Sequence, residues 1–124
     1  MRKRKYRHPP IEVAFLLTEI QRLYDPVEPE ILKFIEDRLF LLEIIYQTAL
    51  VLRQIFGSQA RLKLELASDP DTGEQELFAL VHVPSGTLPE EALQKLREFD
   101  ECWFVGVQKD VDGQFNVDVV FNTD

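Results

Sequence analysis

Cys102 is the side chain best suited to act as a nucleophile in this sequence, and it is the only cysteine. A nucleophilic thiol needs its thiolate stabilised and a base such as His beside it. Asp100 and Glu101 precede Cys102 and Trp103 follows it, and the two acids disfavour a thiolate. The histidines are His8 and His82, and His8 lies in the first residues of the chain. Cys102 therefore reads as a core or rim cysteine. Asp69, Asp71 and Glu74 around Gly73 look like a piece of a calcium loop. Such a loop carries a bidentate Glu at its twelfth position, which counted from Asp69 is Leu80. These acids, and Asp110 and Asp112 beside Gly113, read as turns. Glu90-Glu91 suits the first turn of a helix, where negative charge favours the dipole. Asp100-Glu101 follows a helix end, where it does not. With Trp103, that second pair is a candidate surface for a basic partner. Glycine-rich phosphate loops, the nucleophile elbow and the H-E-x-x-H zinc motif are all absent from the sequence. The expectation is no catalytic residue, no metal and no cofactor.

These residues sit in a chain of 124, about one domain's worth, 45% hydrophobic and 29% charged. A lone cysteine excludes an intrachain disulfide. The net charge of -8 hides a split. Arg2, Lys3, Arg4, Lys5 and Arg7 make a basic arm over residues 1–8, read as a loose, solvated terminus. The remainder carries nine basic against 22 acidic residues. An acidic body repels phosphate backbones, so any nucleic acid contact is expected from the arm alone. The 14 residues between Arg38 and Arg53 are too few to span a bilayer, and no signal-peptide pattern follows the basic start. The expectation is a cytoplasmic protein with no membrane contact.

The elements that must position these side chains follow from periodicity. Residues 9–24 have near-helical apolar spacing, although 11–15 also reads as a short strand. Asp25, Pro26 and Glu28 suggest a capping box, and the helix they open is expected to run to Phe56, stopped by Gly57. Leu62, Leu64 and Leu66 alternate with charged residues, as in a half-buried strand. Residues 68–74 make a turn and 76–83 a second strand, forming an antiparallel hairpin. Thr87 and Glu90 suggest another capping box, opening a helix to Phe99. Strands are expected at 103–108 and 114–121, joined by a hairpin turn at 110–113. The fold class is α+β: a long helix with a helix or strand before it, then a β-β-α-β-β unit over 61–121. The antiparallel sheet is covered on one face by helices.

The long helix is the most informative of these elements. At 100° per residue, Glu30, Lys33, Asp37, Gln47 and Gln54 fall within about 60° of one direction. Phe40, Ile44 and Val51 fall in the same stripe, and the opposite side is apolar already. A helix apolar nearly all round must be covered on every side. The cover is either the segment 11–24 or a second copy of the chain, and Phe40, Leu41, Ile44 and Val51 are the expected interface of a homodimer in the second case.

Two stretches carry a resemblance: Asp69-Pro70-Asp71-Thr72-Gly73-Glu74 leading into Glu76-Leu77-Phe78, and Phe99-Asp100-Glu101-Cys102-Trp103. They resemble a loose group of small bacterial α+β proteins, common in cyanobacteria, with D-P-x-T-G-E-x-E-L-F and F-D-x-x-W patterns. The resemblance covers residues 61–121. It implies an acidic binding module, a partner in a small two-protein operon of the toxin–antitoxin type, and it supplies no catalytic residue. The expected function is a non-enzymatic protein-interaction module. The alternative is a nucleic-acid-associated regulator that uses the basic arm.

Overall fold

The computed structural model describes residues 10–121. Residues 10–23 are helical, which decides between the two readings of that segment: α1 spans Pro10–Leu23. Tyr24 follows, wholly buried, and donates its hydroxyl to the Ile45 carbonyl at 2.8 Å. Burial pushes that phenol well above its ordinary range.

Asp25 does not cap the next helix. Its N–H instead donates to the Leu62 carbonyl at 3.2 Å. Helix α2 spans Pro29–Glu36, with Glu28 at its cap position. Ile31, Phe34 and Ile35 form its buried stripe, at the i, i+3, i+4 spacing of one helix face. The expected unbroken helix to Phe56 does not form. Arg38 leaves helical geometry at φ -137°, ψ 64°, and a 3-10 turn spans Leu39–Leu41. Helix α3 then spans Leu42–Phe56.

The Arg38 side chain ties this corner down. Its guanidinium carbon lies 3.8 Å over the Phe34 ring, and its Nε donates to Gln114 Oε1. One helix of that length would run about 45 Å. Strands of this size reach only about 30 Å. The break folds both halves over the same sheet. Gly57, at φ 91°, ends α3 where the sequence placed the stop.

Strands β1, Arg61–Ser68, and β2, Gln75–Val83, form the expected antiparallel hairpin. The acidic turn closes on itself: Asp69 Oδ1 accepts the Asp71 N–H at 2.8 Å, and the Asp69 N–H donates to the Glu74 carbonyl at 2.8 Å.

Helix α4 spans Pro89–Phe99, and Thr87 donates its hydroxyl to the Pro84 carbonyl instead of capping the helix. From here the chain departs from the expected second hairpin. The helix continues through 103–108, as a π-turn over Asp100–Phe104, then Val105–Val107, then a 3-10 turn over Gln108–Asp110. The reason lies in the spacing of Phe99 and Phe104. Five residues apart, they would point about 140° apart on a regular α-helix. The wider π-turn brings both into the core, 0% and 5% exposed, with ring centroids 5.9 Å apart. Phe104 in turn meets Phe115 edge-on at 6.2 Å.

Asp112, at φ 54°, and Gly113, at φ 70°, do make a tight turn, but it joins a helix to a strand. Strand β3, Phe115–Phe121, therefore pairs with β2 in parallel. The three-stranded sheet has the order β1-β2-β3. Mixed helix and strand place the chain in the α+β class, with β-β-α-β in place of β-β-α-β-β. The core lies between the helices and the sheet face that carries Leu62, Leu64, Leu77, Ala79, Val81 and Phe115.

Candidate interaction surface

Side chains alternate along a strand, so the residues between those core positions project from the opposite face. On β2 these are Glu76, Phe78, Leu80 and His82. The register sets their neighbours. Phe78 stands between Glu65 of β1 and Asn116 of β3. Leu80 stands between Lys63 and Asp118, and His82 between Arg61 and Val120. Phe78, Leu80 and Val120 are half-buried by these neighbours and take no part in the core. Phe78 and Leu80 lie on the middle strand of the outer face and Val120 beside His82 on β3, with Arg61, Lys63 and Glu65 on β1 and Asp118 on β3. His82 follows Leu80 on the same face. Burial, followed by Lys63 and Arg61, holds its imidazole below the ordinary value of 6.5, which keeps it neutral at pH 7.

The outer edge of the sheet at β3 is closed by its own side chains. In this parallel pairing the N–H groups of Val117 and Val119 point away from β2. Asn116 Oδ1 accepts the first at 2.8 Å and Asp118 Oδ1 the second at 2.8 Å. At β1, the outward Leu62 carbonyl accepts the Asp25 N–H. An unprotected edge is a template for strand addition, and these bonds occupy part of it.

The residues singled out from sequence are placed differently. Leu41 is wholly buried, so it offers nothing to a partner. Phe40, Ile44 and Val51 are half-buried and packed against the core. Helix α3 has α1 against it on one side and the α4 layer on the other, and its Leu42, Ile45, Ala49 and Leu52 stripe is buried. The stretch Leu39–Phe56, the 3-10 turn together with α3, is long and apolar enough to cross a membrane by length and composition.

Trp103 donates its indole N–H to Thr48 Oγ1 at 3.0 Å, so its polar edge is used within the chain. Asp100 is half-buried and Glu101 exposed on the same π-turn; burial, then Glu101, raises the Asp100 carboxyl above its ordinary range. Arg2, Lys3, Arg4, Lys5 and Arg7 lie outside the described residues. Cys102 is exposed on the helical layer, while His82 projects from the far face of the sheet. Among the described residues, no group of three or more His, Cys, Asp or Glu is placed to hold a metal ion.

A half-open groove of about 310 Å³ lies between the end of α3 and the start of α4, bordered by Phe56, Gln59, Pro84, Thr87 and Lys95. Glu91 is the acid in its described lining, 4.0 Å from Lys95 Nζ. The groove holds neither a carboxylate pair nor a nucleophile with its base.

The apolar group on the outer face escaped the sequence reading, although its signal was present. Residues 76–83 are apolar at nearly every position, a pattern suited to a strand covered on both faces. No family model, curated protein or solved structure matches the chain.

Proposed function

We propose that this protein is a non-enzymatic interaction module that holds another protein surface against the outer face of its sheet. The observation that carries this reading is the position of Phe78, Leu80 and Val120, apolar and outside the core. A sheet packed on one face ordinarily turns polar residues to water on the other. Apolar side chains with charged neighbours are instead the pattern of a contact surface, an apolar centre within a polar rim. The resemblance to partners from two-protein operons agrees with a binding role. Self-association stays within the reading, but its surface moves from the long helix to the sheet, because Phe40, Ile44 and Val51 already pack on the core.

A photo-reactive phenylalanine analogue at position 78 tests this, with the same analogue at the exposed position 98 on α4 as control. Discrete protein adducts from position 78 alone are expected in cells that express the chain. Equal adducts from both positions, or none from 78, would contradict the proposal.

A further inference from the structure

We infer that the occupant of the outer sheet face is a different protein, one that seats a carboxylate side chain in the corner formed by Arg61, Lys63 and His82. This rests on the reading of that face as a contact surface, and adds the chemistry that selects the partner. The register builds the corner. Arg61 of β1 stands opposite His82 of β2, and Lys63 is the next outward residue of β1, about 7 Å further on. Burial and both β1 cations keep the His82 ring neutral at pH 7.

Most other basic side chains of the described chain are already committed. Arg22, Lys33 and Lys95 pair with Glu19, Asp37 and Glu91 on their own helices. Arg38, Arg53 and Arg97 donate to Gln114, the Leu23 carbonyl and Gln94. Among the described residues, Arg61, Lys63 and Lys109 have no ion pair and no side-chain hydrogen bond. Two of these three stand together on one face of one strand. Glu65, the next outward residue of β1, forms no ion pair with Lys63. The two cations repel each other, and an acid brought by a partner offsets that repulsion.

The apolar residues adjoin the corner, since Leu80 stands opposite Lys63. A partner that covers Leu80 brings its neighbouring side chains over Lys63. Water leaves as the apolar contact closes, and the attraction strengthens in its absence. A phosphate backbone suits the site less well. Laid over the corner, it continues onto Glu65 and Asp118, which repel it. Three strands give a face on the order of 400 Å². Two copies meeting face to face cover only that, about half of what a stable interface takes from each partner. A different protein can extend past the edges of the sheet.

Cross-linking from a photo-reactive phenylalanine analogue at position 78, in cells that express the full chain, tests this with two variants. Arg61→Glu with Lys63→Glu reverses the corner, and Lys109→Glu is the control. None of the three residues is buried, and circular dichroism checks that the variants keep the fold. Adducts are expected to fall about tenfold or more when the corner is reversed, and to stay unchanged in the control. Sequencing the adduct identifies the partner's acid. Replacing that acid with Lys is expected to restore adducts to the reversed corner. Adducts undiminished by reversal overturn the inference and leave the contact surface standing, as do adducts that join two copies of this chain. A charge swap that restores nothing overturns it as well. No adducts from the unaltered corner overturn the reading of the face, and the inference with it.

Discussion

The indole of Trp103 and the hydroxyl of Thr48 meet at 3.0 Å, joining the π-turn to the middle of α3. Thr48 is wholly buried. A buried hydroxyl that loses its partner costs about 1–3 kcal/mol. Trp103→Phe is expected to destabilise the chain within that range. Thr48→Val is expected to cost less, because the half-buried indole N–H can turn to water. Urea denaturation of both single variants and the double variant reads the coupling, expected at about 0.5–1.5 kcal/mol.

Leu77 and Phe78 are neighbours on β2 with opposite duties. Leu77 is wholly buried in the core, while Phe78 projects from the other face. Leu77→Ala is expected to cost about 2–5 kcal/mol through the cavity it leaves. Phe78→Ala is expected to cost under about 1 kcal/mol and to weaken capture at the outer face. Thermal melts, and cross-linking from position 80, on the same two variants separate the effects.

The π-turn holds one more residue than an α-turn would, and that residue brings Phe99 and Phe104 onto one face. Deleting Cys102 leaves the two rings four residues apart, which is already one face of a regular α-helix. The deletion is expected to be tolerated, with a melting temperature within a few degrees of wild type. A loss of more than about 3 kcal/mol would show that the π-turn itself is required, beyond the placement of the two rings.

Stability should fall as pH drops below about 6.5, the ordinary value for His82 in the unfolded chain. Its folded value is lower, so the unfolded chain takes up the proton first and is favoured across that window. Lys63 and Arg61 on β1 oppose the charged ring, Glu65 favours it, and Asp118 lies across β2 on β3. Solvent still reaches the ring, so the effect is small, well below about 1 kcal/mol. Replacing His82 with Gln is expected to flatten the stability difference between pH 7 and pH 5, read as the gap between the two melting curves.

Much of the fold was legible because local pattern and tertiary demand agreed. The alternation of Leu62, Leu64 and Leu66 into the Asp69–Gly73 turn is a hairpin by any route, and Gly57 ends α3 because its φ of 91° suits glycine. The misreadings came where distant contacts prevailed. Trp103, Phe104, Val105 and Val107 have strand-like preferences, yet the demand that Phe99 and Phe104 share a core keeps them helical. The apolar stripe runs on past Arg38 without a break, and only Gln114, 76 residues further along the chain, reveals why the helix stops there. The expected interface was drawn on that unbroken helix. A helix read as one long rod left Phe40, Ile44 and Val51 bare, whereas the folded chain packs them and leaves Phe78, Leu80 and Val120 outside the core.

The most direct test of the central claim is two-dimensional carbon–proton NMR on methyl-labelled protein, compared between the purified chain and the cells that express it. The Leu80 and Val120 methyl signals are expected to shift in the cells while those of Ile44 and Val51 stay fixed. Shifts at Ile44 and Val51 with Leu80 and Val120 unmoved would return the contact to the long helix and contradict the sheet-face account.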